Sequence, residues 1–239
     1  MITVYAIDAL EHKLVEEWGC MNLKQTEYGK TDITEFSEPR TMVLWSSFMT
    51  GENKEKEVLG EGNEEMWNIK WPREETFFKN FDDPQILDLP GYNYDLEVHE
   101  ESRQLLKKFF ESEGEEKNSV RKQYNQDAFN HHRKIKQEFI NALESQSDLV
   151  VGYFSLADVI GHLNFGNATM MKMIYQDLDE LAAYASERSE HMLVLSDHGM
   201  YDLGGGFGDH SGYGYWSTSW KSRLEDPEIT DFGEILSEL

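Results

Sequence analysis

Two pairings of aspartate with histidine mark the second half of the chain. Asp158-Val-Ile-Gly-His162 offers a carboxylate and an imidazole across a glycine-containing turn, and Asp197-His198 offers another pair in adjacent positions. His210 follows in Gly208-Asp209-His210-Ser211-Gly212, and Asp8 stands near the start. Carboxylate oxygen and neutral imidazole are donors that suit zinc, manganese or iron, with no need for thiolate. Taken singly, each has an ordinary alternative. Asp8 reads equally as a helix N-cap, Asp197-His198 as a hydrogen-bonded loop pair, and His210 as a plain loop residue. Taken together, with Thr41 at the head of an apolar segment, they favour a metal site. The other histidines, His12, His99, His131, His132 and His191, show no partner pattern and are expected to be solvated.

The elements that must carry these residues follow from hydrophobic periodicity. Thr3 to Ile7 is a short apolar run that stops at Asp8, and Leu10 to Trp18 has the spacing of an amphipathic helix. Thr41 suits the N-cap of a helix running to Gly51, which suits its stop. Glu100 to Glu111 and Ser119 to Glu144 are helical, the latter with Phe129, Ile135, Phe139, Ile140 and Leu143 facing inward. Leu149 to Phe154 and His191 to Ser196 are compact apolar runs of the kind that form buried parallel strands, separated by a helix over about 168–187. Strand, helix, strand with short connections predicts a parallel sheet covered by helices. Asp8, Asp158, Asp197 and His198 all fall just past predicted strand ends, where open α/β sheets bind their ligands.

Between Glu52 and Glu97 the pattern dissolves into charge, glycine, proline and scattered aromatics, including Trp67, Trp71, Phe77, Phe78, Phe81, Tyr92 and Tyr94. With the helices that follow, this reads as a cap or insertion over about 52–145 of a single domain. Its aromatics could stack a nucleobase, line a leaving-group pocket, or form a small core of their own.

Composition limits the partners. The formal net charge is −24, from 46 acidic and 22 basic side chains, so an anionic nucleic-acid backbone or membrane surface is repelled. A small phosphate ester would need a local positive centre, and bound metal ions supply one. A single cysteine, Cys20, cannot form an internal disulfide. No signal-like start or membrane-length apolar run is visible, so a cytoplasmic, soluble protein is expected.

The order Asp8, Arg40-Thr41, Trp45-Ser46-Ser47-Phe48-Met49-Thr50-Gly51, Asp158-Val-Ile-Gly-His162, Ser196-Asp197-His198-Gly199-Met200 and His210 resembles the type I phosphodiesterase and nucleotide pyrophosphatase branch of the alkaline phosphatase superfamily. The resemblance implies a three-layer α/β/α sandwich with a mostly parallel central sheet, alkaline phosphatase-like, with a small cap. It implies two divalent ions, zinc before manganese or iron. Asp8, Asp197 and His198 would hold one, and Asp158, His162 and His210 the other. Thr41 matches the nucleophile, which also touches metal and forms a phosphothreonine intermediate. The phosphate-gripping Asn of nucleotide-acting members has its nearest match in Asn63, reached only with an extra residue in the alignment, and Arg40 is the basic residue beside Thr41. At 239 residues the chain is short for this family. The expected activity is hydrolysis of a small phosphate ester, a phosphodiester or nucleotide pyrophosphate. A phosphomonoesterase or mutase on the same framework is the first alternative, and a non-catalytic metal-binding scaffold the second.

Overall fold

A computed structural model describes residues 1–60, 62 and 65–239. The chain opens with β1 (Ile2–Ile7), α1 (His12–Trp18), α2 (Met21–Lys24) and β2 (Glu27–Thr31), then α3 (Thr41–Thr50) and α4 (Glu55–Gly60). Three short 3₁₀ turns lead to β3 (Pro84–Leu87) and the helix pair α5 (Leu96–Glu111) and α6 (Gly114–Leu143). β4 (Leu149–Phe154), α7 (Leu156–Asn164), α8 (Ala168–Ser186) and β5 (His191–Ser196) follow. The hairpin β6 (Met200–Gly204) and β7 (Phe207–His210), then β8 (Gly214–Thr218) and α9 (Phe232–Ser237), complete the chain.

Six strands form the main sheet in the order β2-β8-β5-β1-β4-β3. β1 pairs parallel with both β4 and β5, Val4 lying opposite Val151 and Leu193, and β3 pairs parallel with β4. β8 is antiparallel to β5 and to β2, so the sheet is mostly parallel with an antiparallel margin. Every residue of β1 and β4 is buried, because helices cover both faces, and this explains why these strands are apolar throughout instead of alternating. The two-residue strand period divides their side chains. Val4, Ala6, Val151, Leu193 and Leu195 face a core built on α3 and α9. Tyr5, Ile7, Val150, Val194 and Met192 face one built on α6, α7 and α8. The result is the α/β/α layering expected from the sequence.

Part of the segment read as cap or insertion belongs to this body. β3 is the sheet's edge strand, and Phe77, Phe78 and Phe81 pack with Phe48 and Trp45 in the main core. Those aromatics therefore have no small core of their own. α5 and α6 pack on one another, and α6 runs on against β4 and α7. Among the described residues no helix is long and apolar enough to cross a membrane.

Candidate metal centre

The four expected strand-end residues meet at the carboxyl edge of the sheet. Asp8 directly follows β1, and its amide donates to the Phe154 carbonyl at the end of β4 (3.0 Å). Asp197 and His198 follow β5. Asp158 and His162 lie one turn apart on α7, so the expected loop turn is a helix, with the two side chains brought to one face by the i, i+4 spacing. His210 closes β7. Gly161 lets that hairpin approach: a Cβ there would lie 2.2 Å from the Met200 sulfur. Thr41 is the first helical residue of α3, with Arg40 in the capping position the sequence had suggested for Thr41. Gly51 ends the helix as expected.

Around Asp158 the spacing is tight and regular. Its Oδ1 lies 3.2 Å from His162 Nε2 and 3.2 Å from His210 Nε2, and the two nitrogens are 3.3 Å apart. His198 Nε2 lies 3.3 Å from Asp8 Oδ1, 3.3 Å from Asp197 Oδ2 and 3.4 Å from Thr41 Oγ1. The His198 and His210 rings stack at 3.8 Å, which makes the two groups contiguous.

The other nitrogen of each ring fixes its role. His198 Nδ1 meets the Gly199 carbonyl at 3.1 Å, His162 Nδ1 the Gly208 carbonyl at 3.3 Å, and His210 Nδ1 the Pro39 carbonyl at 2.8 Å. A carbonyl can only accept, so each Nδ1 carries a proton, and a ring that is neutral has its Nε2 lone pair toward the carboxylates. With all three rings neutral, acceptors would face acceptors. Asp8 Oδ1, Asp158 Oδ1 and both oxygens of Asp197 are buried without a hydrogen-bond partner. Such an arrangement is balanced either by protons or by a cation in its midst.

The electrostatics show where protons lie without metal. Burial, with the charge of Asp158 next in weight, pushes Asp8 up to about 7, and burial with Asp8 pushes Asp197 well above the usual carboxylate range. Burial also opposes ionisation of Asp158, but His162 and His210 outweigh it and hold Asp158 well below its ordinary value. His210 rises to about 9 against its own burial because of Asp158. Without metal the site therefore holds protons that a divalent ion would replace. The donor set fits such ions: carboxylate oxygens and imidazole nitrogens with carbonyl-anchored rings. Two overlapping trios, Asp8/Asp197/His198 and Asp158/His198/His210, have one donor atom each within 4.8 Å of one another, and His162 joins the second at the distances given above.

A cleft of about 220 Å³ opens on the centre. Thr41, Asp8, Asp158, His162 and His210 line it together with Trp67, Tyr94 and Arg103. Arg40 also lines the cleft, with its Nη2 2.7 Å from Glu38. Asn63 lies outside the described residues.

Two further observations were not anticipated. Tyr153 donates a short hydrogen bond to Asp8 Oδ2; its place at the end of an apolar strand was the available signal. His99, His131 and His132 are buried, not solvated. The first two converge on Asp88 Oδ2 at 2.9 and 2.7 Å, and His132 binds Asp177 at 2.8 Å.

A scan against protein-family models finds no match, and a search of curated proteins finds none either. Among solved structures, that of murine ectonucleotide pyrophosphatase/phosphodiesterase 5 is similar at 12% identity and a TM-score of 0.45, over 85% of this chain. The chain spans 58% of that protein's resolved length. The six-stranded, mostly parallel sheet between helical layers is a three-layer α/β/α arrangement.

Proposed function

We propose that the chain is a metal-dependent phosphoric ester hydrolase, acting on phosphodiesters or nucleotide pyrophosphates through a phosphothreonine formed on Thr41. One observation carries the reading: six Asp and His side chains from four separate segments converge with unpartnered carboxylate oxygens and carbonyl-anchored imidazoles, and a threonine hydroxyl stands 3.4 Å from one of those imidazoles. Asp8, Asp197 and His198 would hold one divalent ion, and Asp158, His162 and His210 the other. Zinc is the first choice, manganese or iron next. Bound ions supply Lewis-acid stabilisation of phosphoryl charge and lower the pKa of hydroxyls they contact.

The chain's own residues do the rest. Thr41 presents Oγ1 at the start of α3, where the unpaired amides of the first helical turn favour phosphoryl oxygens. Attack forms the Thr41 Oγ–P bond and breaks the bond from phosphorus to the leaving oxygen. Water then cleaves the phosphothreonine, restoring the hydroxyl and releasing the phosphate product. Tyr153 holds Asp8 in place through its hydroxyl. Arg40, at the cleft wall beside Thr41, is suited to a nonbridging oxygen.

The test is hydrolysis of bis-p-nitrophenyl phosphate and p-nitrophenyl phosphate before and after chelation, with zinc or manganese added back. Chelation should abolish turnover, the ion should restore it, and the diester should be preferred. Metal-independent turnover would sink the proposal, and a monoester preference would favour the phosphomonoesterase alternative.

A further inference from the structure

We infer that Glu11 is a positioning residue for the metal centre, a buried carboxylate that fixes the loop bearing Asp197 and His198 to the loop following Asp8. The inference rests on the metal-dependent reading above. Glu11 is 4% exposed. It caps α1 by accepting the Lys13 amide on Oε1 at 3.0 Å. Capping alone does not account for it, since Ser, Thr, Asp and Asn are the residues that favour this position and their shorter side chains suffice. The longer side chain of Glu11 also accepts the Met200 amide on Oε2 at 3.1 Å and the Tyr213 hydroxyl on Oε1 at 2.6 Å. Those donors are 189 and 202 residues away in sequence.

Both flank the centre. Met200 is two residues past His198, and Tyr213 is three past His210. Gly199 lies between His198 and Met200, and its carbonyl is the acceptor that anchors His198 Nδ1. The Gly199 amide donates to the Tyr213 carbonyl at 2.8 Å, and its carbonyl also accepts the Ser211 amide at 3.0 Å. Glu11 packs so closely that a Cβ on Gly199 would stand 2.3 Å from Oε2. This explains why glycine follows His198, since a larger residue would displace the carboxylate. A second tie runs in parallel: Ser196 Oγ accepts the Leu10 amide at 2.9 Å and donates to the His198 carbonyl at 2.7 Å. The Asp8–Glu11 segment is thus clamped to the Ser196–Met200 segment on both sides of the ligands. Groups that orient a ligating imidazole in this indirect way typically change metal affinity by 10–100-fold when removed.

The experiment is zinc titration of the full-length, metal-stripped protein by chelator competition, alongside its melting temperature without metal. Glu11→Gln keeps the size but sets an amide NH₂ against the Met200 or Tyr213 donor, and should weaken the tighter zinc step by roughly 10–100-fold. Tyr213→Phe removes one donor and spares the carboxylate, so it should weaken binding by a smaller factor. It also decides the matter should Glu11→Gln fail to fold. Zinc affinities of both variants within twofold of wild type, whatever the melting temperatures, would reduce Glu11 to a structural strut and overturn the inference. Wild-type protein that takes up no zinc would overturn the metal reading itself, and is seen in the control titration before any variant is compared.

Discussion

Around Asp158 and His198, imidazoles anchor Nδ1–H on backbone carbonyls and turn Nε2 toward carboxylate oxygens 3.2–3.3 Å away that have no other partner. Around Asp88 the wiring is reversed. His99 and His131 donate Nε2–H to one oxygen at 2.9 and 2.7 Å, the other oxygen accepts the Asp95 amide at 2.8 Å, and His131 Nδ1 is left buried and unpartnered. Both clusters consist of buried Asp and His, and both have donor atoms close enough to be taken for metal ligands. The difference lies in which nitrogen is committed elsewhere. Hydrogen bonds at 2.7–2.9 Å already satisfy Asp88, whereas the spacing and the orphaned oxygens at Asp158 leave room and need for a cation. Burial and residue type therefore do not tell the two clusters apart; the second nitrogen of each ring does.

The comparison can be broken at several points. The largest effect should come from Thr41. Thr41→Ala should lower turnover of bis-p-nitrophenyl phosphate by about a thousandfold or more while keeping the bound metal, because it removes the attacking oxygen and none of the six Asp and His donors. Thr41→Ser should retain substantial activity. If Thr41 only began a helix, the alanine form would lose about 1 kcal/mol of stability and little activity.

Next in size is Asp158→Ala, which should remove one of two ions per chain and most of the activity. Metal content measured by elemental analysis decides it, and two retained ions with normal turnover would refute the assignment. The matching change in the other cluster, Asp88→Asn, should leave metal content untouched and cost stability alone, about 2 kcal/mol. Asparagine is the informative choice because Asp88 sits at φ 56, a left-handed conformation that asparagine tolerates.

The smallest effect is on pH dependence. Burial works against ionisation of Asp88, yet the bonds from His131 and His99 prevail and lower it to about 2. A depressed carboxylate contributes stability that is present above its unfolded pKa and disappears as the pH falls through the folded one. The stability difference between wild type and Asp88→Asn, measured by urea midpoint with chelator present, should therefore hold steady from pH 7 to about 5 and close as the pH falls toward 2. A gap that closed near neutrality would show that the histidines, not Asp88, carry the titration.

How much of this was legible in the sequence depended on the range of the contacts. β1, β4 and β5 were readable because strands buried on both faces are continuous apolar runs, and Asp8 and Asp197 were readable because they end those runs. Thr41 was misplaced by one position, as helix starts often are. The buried histidines were misjudged because their partners are remote: Asp88 is 11 and 43 residues from His99 and His131, and Asp177 is 45 from His132. Nothing local in the sequence singles out Glu11, because its two telling donors come from the far end of the chain. The antiparallel β8, with its Tyr, Trp, Ser and Thr side chains, lacked the purely apolar signature and acquires its place only from pairing with β5 and β2.

The most direct measurement is anomalous diffraction at the zinc edge from crystals grown with zinc. The account expects two peaks, one within bonding distance of Asp8, Asp197 and His198 and the other within bonding distance of Asp158, His162 and His210, with none at Asp88. A peak between Asp88, His99 and His131, or an absence of peaks at the strand ends, would contradict it.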